Sequence, residues 1–301
     1  MMKKNIDSLA VIGLGTQGAQ IAFRSALYGK RVVACDVSEA VLETAMGKIN
    51  GWLEEYRQAG RIGGSDIPEI LTRITCSTDM DSGVKGVDLV LEVVPERLEL
   101  KQKVWEQIDR AADPDTLLTT NSSSLKSSDI GKNINRKALS FNLNFMTPVK
   151  DDLVEVMWNA NTDDAIKPVV LDFLYALNLV PIVTQKEIKG FSHNRVWRAI
   201  KKETLKLWDQ GYCDYQDLDR AFMMEFGTSF GPFGLMDIVG LDVIRDIENS
   251  YYQDSGDESD KPPKKLLEYI EQGKLGVKSG SGFYEYPNPA YTSSDWLRKH
   301  K

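Results

Sequence analysis

At 301 residues, with 42% hydrophobic and 27% charged side chains, the chain has a globular composition and the length for two cores. Its 44 acidic against 37 basic residues leave a net charge of −7, which argues against nucleic-acid partners but not against one bound nucleotide. Cys35, Cys76 and Cys213 are scattered with no CxxC pair, and no apolar run approaches the ~18 residues of a membrane span. A disulfide framework, a metal site and a membrane partner are therefore not expected, and the composition fits a reducing cytoplasm.

In chain order, Leu9 to Ile12 read as a buried strand, and glycine-rich residues lead into a helix over 17–28, stopped by Gly29. A valine-rich strand follows at 31–36. Ser38 is placed to cap a long helix in which Val41, Leu42, Ala45, Met46, Ile49, Trp52, Leu53 and Tyr56 keep the i, i+3, i+4 rhythm. Strands are predicted at 73–76, 88–94, 116–120, 139–145, 153–158 and 180–184, and helices at 97–112 and 163–178. Such alternation predicts a mostly parallel sheet covered on both faces. After Gly190 helical periodicity takes over. Val196, Trp197, Ile200, Leu205 and Trp208 share one helix ended by Gly211, Asp214 caps the next, and Pro262 and Pro263 suit the first turn of another. The acidic, serine-rich stretch 253–261 reads as an exposed loop.

Gly13-Leu14-Gly15-Thr16-Gln17-Gly18 follows the first strand and opens the first helix. A G-x-G-x-x-G loop in that position serves three needs: a tight turn, close backbone approach to a diphosphate, and close helix–strand packing. The diphosphate sits on free N–H groups at the helix start, including those of Thr16 and Gln17, aided by the helix dipole. Asp36 ends the second strand, where a carboxylate accepts from ribose hydroxyls and repels a 2′-phosphate, so the cofactor is NAD rather than NADP. A chance glycine turn would lack the strand, helix and acidic residue in register. The fold class is α/β: an N-terminal Rossmann-type dinucleotide-binding domain over 1–187 and a C-terminal all-α domain over 188–301.

Further segments carry a resemblance. Glu96 and Lys101 lie just after the apolar run 90–94; Thr120-Asn121-Ser122-Ser123-Ser124-Leu125 follows the predicted strand 116–120; and Gly190-Phe191-Ser192-His193-Asn194-Arg195 opens the helical part. Near the C-terminus stand Gly231-Pro232-Phe233-Gly234 and Gly280-Ser281-Gly282-Phe283-Tyr284. In this order they resemble the 3-hydroxyacyl-CoA dehydrogenase family over nearly the whole chain. The resemblance implies that Glu96 and Lys101 lie near the cofactor and that Ser123 hydrogen-bonds the substrate oxygen close to the nicotinamide. It further implies that Asn194 faces the active site, and that the protein forms a homodimer through the helical domain.

One departure bears on chemistry. The family's H-F-F-N-P motif, followed by L-V-E, pairs a histidine that exchanges the substrate proton with a glutamate that orients it. The aligned stretch here reads Asn144-Phe145-Met146-Thr147-Pro148, then Leu153-Val154-Glu155 with a connection one residue shorter. No register restores a histidine, because the sequence holds only His193 and His300. Alternation of Leu139, Phe141, Leu143 and Phe145 with Ser140, Asn142 and Asn144 puts Asn144 on the polar face of its strand. An amide hydrogen-bonds a substrate oxygen but takes up no proton near neutral pH, and acid–base assistance is worth ~10²–10⁴-fold. The catalytic set implied is Ser123, Asn144, Glu155 and Asn194, with three readings open: another group acts as base, the enzyme is slow, or it does not turn over. His193 has suitable chemistry, although neighbouring helical residues point ~100° apart, and Glu155 is a second candidate.

The substrate class stays open as well. A 3-hydroxyacyl-CoA is implied by the resemblance, but the long helix carries Glu54 and Glu55 beside Lys48, Arg57 and Arg61, where coenzyme phosphates would need cations. A free hydroxy acid is the alternative small-molecule substrate, and a non-catalytic NAD(H)-binding protein is the rival from another class.

Overall fold

The computed structural model describes residues 5–293 and 295–298, so His300 lies outside the described residues. The chain divides into two units, Met1–Ser192 and His193–Lys301.

In the first unit the chain runs β1 (Ser8–Ile12), α1 (Thr16–Leu27), β2 (Arg31–Cys35), α2 (Glu39–Gln58), α3 (Asp66–Thr72), β3 (Ile74–Ser77), α4 (Met80–Gly83) and β4 (Leu89–Glu92). It continues through α5 (Leu98–Ala111), β5 (Leu117–Thr120), α6 (Ser127–Ile130), β6 (Ser140–Phe145), β7 (Leu153–Trp158), α7 (Ile166–Ala176) and β8 (Val180–Thr184). The eight strands form one sheet in the order β3-β2-β1-β4-β5-β6-β7-β8. All neighbours are parallel except β6 and β7, which pair antiparallel. The strand order reverses between β1 and β4, and in such sheets the crevice at the carboxyl ends of the strands at that point takes the ligand.

Burial explains the strand sequences. β1, β4 and β5 are buried on both faces and carry almost no charge. Leu9 and Val11 join Phe23, Ile49 and Leu53 in one core, whereas Ala10 and Ile12 join Val90, Trp105 and Ile108 in another across the sheet. Each such large side chain withdrawn from water contributes about 1.5–3 kcal/mol.

Local differences from expectation have physical reasons. Ser38 holds the N-cap position of α2, but its hydroxyl makes no capping bond; its backbone N–H instead donates to the Asp36 carboxylate. α3, α4 and α6 have too few turns to show a helical period. The polar face of β6 is as buried as the apolar one, because the sheet is covered on both sides.

The second unit is carried by α8 (Ser192–Asp209, whose first residue belongs to the first unit), α9 (Tyr215–Phe226), α10 (Pro232–Val239), α11 (Leu241–Ser255) and α12 (Lys264–Glu271). Asp214 caps α9 by accepting from the Gln216 N–H. Pro263 stands at the N-cap of α12 rather than in its first turn, with extended backbone and the φ of −63° that its ring imposes. α11 runs on to Ser255, so the loop expected from 253 starts later, and Asp260 within it is buried by bonds from Arg198, Lys202 and Ser255.

Two buried carboxylates organise this unit. Asp219 accepts from the N–H groups of Phe233 and Gly234 and from the Tyr284 hydroxyl. Asp237 accepts from the N–H groups of Phe283 and Tyr284 and from the Tyr286 hydroxyl. A Cβ on Gly231 would fall 2.4 Å from Asp219, and one on Gly282 2.1 Å from Asp237, so both glycine-rich signatures exist to wrap backbone around a carboxylate. No described helix is long and apolar enough to cross a membrane.

Candidate active site

The glycine loop separates its three tasks in space. Gly13 has φ +100°, and a Cβ there would press on the Val93 carbonyl at 2.9 Å. A Cβ on Gly18 would lie 1.9 Å from the Gly13 oxygen, so that glycine lets α1 close on the loop. Gly15 differs: its Cβ would meet nothing within 4 Å, and both Gly15 and Thr16 are exposed. That open position is a cradle that a side chain would fill. The first amides of α1 have no partner within the helix. Gln17 donates from Nε2 to the Met146 carbonyl, while its buried Oε1 has no partner among the described residues.

Asp36 is held for a second contact. Its Oδ2 accepts from the Leu14 N–H at 2.8 Å and its Oδ1 from the Ser38 N–H at 3.2 Å. A half-buried carboxylate fixed in this way keeps lone pairs for ribose hydroxyls. Open cradle, unpartnered helix amides and anchored carboxylate together fit NAD.

The carboxyl ends of β4 and β5 are tied by a buried ion pair. Lys101 Nζ lies 2.7 Å from Glu92 Oε1, donates to the Val94 carbonyl at 3.0 Å and stands 3.2 Å from Glu96 Oε2. Thr120 donates to the other Glu92 oxygen at 2.8 Å. Burial pushes the Glu92 carboxyl up, against the pull of Lys101. With its three protons committed, Lys101 is buried and faces inward. Glu96 accepts from the hydroxyls of Ser122 and Ser124. Burial would raise Glu96, but these two hydroxyls and the nearby Lys101 outweigh it and hold the carboxyl below its ordinary range. Between them Ser123 is exposed, and among the described residues its hydroxyl bonds to nothing.

Asn144 and Glu155 are directly opposite in the register of β6 and β7. Asn144 is almost fully buried, and its Nδ2 reaches Met146 Sδ at 3.8 Å. Glu155 is fully buried, and its Oε1 accepts from the Ser192 hydroxyl at 3.1 Å. Ser192 in turn accepts from Thr184 Oγ1 at 3.4 Å. Asn121 accepts from the Phe145 N–H at 2.8 Å and locks the end of β6 to the loop after β5. Of the expected residues, the first unit thus holds the glycine loop, Asp36, Glu96, Ser123, Asn144 and Glu155 at the carboxyl ends of β1, β2, β4, β5 and β6 or near the start of β7, and Lys101 in the first turn of α5. His193, exposed, and Asn194, half-buried, belong to the second unit, in the first turn of α8. Sequence reasoning missed Glu92, Asn121 and Ser192. The signal available for Glu92 was a lone carboxylate inside an apolar run, nine residues before Lys101.

Residues 8–188 match the family described as 3-hydroxyacyl-CoA dehydrogenase, NAD binding domain, and residues 190–286 match its C-terminal domain. A probable 3-hydroxyacyl-CoA dehydrogenase of Caenorhabditis elegans is 33% identical over 288 residues, covering 93% of each chain. A 5-formyl-3-hydroxy-2-methylpyridine 4-carboxylate 5-dehydrogenase of Mesorhizobium japonicum is 30% identical, covering 93% of this chain and 91% of its own. The crystal structure of (S)-3-hydroxybutyryl-CoA dehydrogenase from Ralstonia eutropha superposes with a TM-score of 0.87 at 27% identity, covering 94% of this chain and all of that one.

Proposed function

The chain belongs to the 3-hydroxyacyl-CoA dehydrogenase family, and from that premise we propose that it interconverts a 3-hydroxyacyl and a 3-ketoacyl thioester with NAD. When bound, NAD supplies the acceptor for the hydride that leaves C3. Asp36 takes the adenosine ribose, and the amides of Gly15, Thr16 and Gln17 take the diphosphate, with Gly13 and Gly18 shaping the turn. Ser123 donates to the oxygen on C3; its exposed hydroxyl between two committed serines is the observation that carries this reading. Asn144 supplies a further hydrogen bond at that oxygen. Lys101 acts through Glu96, which it holds at the mouth of the cofactor loop.

The test is direct. Purified protein with NADH and acetoacetyl-CoA oxidises NADH, and replacing NADH by NADPH slows the reaction. NADH binding without turnover of any 3-keto compound would make the chain a binding protein instead.

A second reading, a non-CoA substrate, is favoured by the surface of α2. Arg57 is held by Glu54 at 2.5 Å and Arg61 stacks 4.9 Å from the Tyr56 ring, so two of the three cations expected to meet coenzyme phosphates are engaged. The Mesorhizobium relative, named for a pyridine carboxylate, shows that the family accommodates such compounds. Faster reduction of free short 3-keto acids than of acetoacetyl-CoA would select it.

The homodimer belongs to the same proposal, supported by exposed Met224, Phe226, Ile238, Val239, Val243 and Val277 in the helical unit. A cytoplasmic location is supported by three unpaired thiols.

A further inference from the structure

Glu92 is a fully buried carboxylate to which the proposed reaction gives no task. It is the last residue of β4, after Leu89, Val90 and Leu91, which are buried as well. Replacing a buried ion pair by apolar side chains of similar volume often leaves stability unchanged or raised. The pair with Lys101 is therefore a weak stabilising device, and its worth lies in what it holds in place.

What it holds is the loop after β5, by two routes. In the first, Glu92 Oε2 accepts from the Thr120 hydroxyl at 2.8 Å, and Thr120 Oγ1 accepts from the Ser122 N–H at 3.1 Å. Beside it, the Glu92 carbonyl accepts from the Asn121 N–H at 2.8 Å. The second route runs through α5. Glu92 Oε1 takes Lys101 Nζ at 2.7 Å, and Lys101 stands 3.2 Å from Glu96 Oε2. Glu96 Oε1 then accepts from the hydroxyls of Ser122 and Ser124 and, at 3.3 Å, from the Ser124 N–H. Both routes end on the residues that flank Ser123. Thr120 and Ser122 are buried, whereas Ser123 is exposed and its hydroxyl bonds to nothing among the described residues. The same carboxylate reaches the cofactor side. Glu92 Oε1 accepts from the Val94 N–H at 2.7 Å, and Val93 and Val94 supply the backbone against which Gly13 packs.

We infer that Glu92 is a positioning residue, whose buried carboxylate fixes Ser122 and Ser124 and so presents the Ser123 hydroxyl at a set distance from the glycine loop. This role rests on the dehydrogenase reading, in which Ser123 donates to the oxygen on C3. A reacting geometry displaced by about 1 Å costs on the order of 10²-fold in rate.

Glu92→Gln disturbs both routes but also leaves Lys101 without a buried counter-charge, so Thr120→Val, which cuts the first route alone, is the deciding variant. Its control is Thr116→Val. Thr116 is equally buried, just before the opposite end of β5, and its hydroxyl donates to the Val87 carbonyl at 2.9 Å, so the same atoms are lost away from the serine loop. Both valine variants melt lower than wild type. Thr120→Val lowers kcat on acetoacetyl-CoA by roughly 10- to 100-fold with NADH affinity unchanged, Thr120→Ser keeps most of the turnover, and Thr116→Val keeps it all. Ser123→Ala costs less in the Thr120→Val background than in wild type, as expected where one residue acts through the other. By hydrogen exchange, the amides of 121–125 lose protection in Thr120→Val and Glu92→Gln but not in Thr116→Val. Full kcat in Thr120→Val, an equal loss in Thr116→Val, or unchanged exchange over 121–125 overturns the inference. Wild-type protein that binds NADH and reduces no 3-keto compound overturns the activity instead, and hydrogen exchange then still decides whether Glu92 holds the loop.

Discussion

Gly15 and Gly18 lie three residues apart in one loop, yet their replacement by alanine has opposite consequences. A Cβ on Gly18 would sit 1.9 Å from the Gly13 oxygen, a separation that only a backbone shift relieves. Overpacking of this kind costs about 1–3 kcal/mol, which at about 2–4 °C per kcal/mol lowers the melting midpoint by roughly 2–12 °C. A Cβ on Gly15 meets nothing within 4 Å, and the residue already has extended φ and ψ of −60° and −162°, so Gly15→Ala leaves the fold intact. What it removes is the close approach of a diphosphate. A hydrogen bond to a charged group is worth about 1.5–3 kcal/mol, so NADH affinity falls roughly 10- to 100-fold. Calorimetric melting and fluorescence titration with NADH read the two effects separately. Unchanged NADH affinity in Gly15→Ala, or an unchanged midpoint in Gly18→Ala, refutes the assignment of tasks within the loop.

In the serine triplet, Ser123→Ala reduces kcat/KM for a 3-keto substrate by about 10- to 100-fold with no change in melting. Ser122→Ala lowers the melting midpoint, because its hydroxyl also accepts from the Leu125 N–H at 2.8 Å; equal melting of the two variants contradicts the distinction. In the helical unit, Asp237→Asn turns an amide N–H₂ toward a buried donor and costs roughly 1–3 kcal/mol, read by denaturant unfolding. Burial pushes Asp219 and Asp237 up to about 6. Each folded-state pKa exceeds the unfolded value of about 4, so the folded state binds the extra proton in that window and loses this stabilisation as pH rises through it. The cost of Asp237→Asn is therefore greater at pH 4 than at pH 7, and a cost that grows with pH would mean that the fold holds the carboxyl down.

Local patterns carried much of the fold. Each β-strand and each long helix of the first unit lies within two or three residues of its expected position, because an unbroken apolar run or a 3.6-residue rhythm reports burial directly. The glycine loop and Asp36 were legible for a similar reason: their spacing from strand and helix is itself the chemistry. Groups defined by distant partners were not. Glu92 is a lone carboxylate inside an apolar run, and nothing local says that Lys101 and Thr120 close on it. The glycines around 231 and 282 announce turns, but nothing local says that they wrap Asp219 and Asp237. Asn144 was placed on the correct face, yet that face is buried, since helices cover both sides of the sheet. Ser192 meets Glu155 across 37 residues, and no periodicity links the two positions.

The account depends first on a dinucleotide carried by the loop after β1 with Asp36 on its ribose. Isothermal titration of the purified chain with NADH and, separately, with NADPH tests this most directly. One NADH binds per chain, at least about tenfold more tightly than NADPH, a difference of about 1.4 kcal/mol. An absence of NADH binding, or equal affinity for the two, contradicts it.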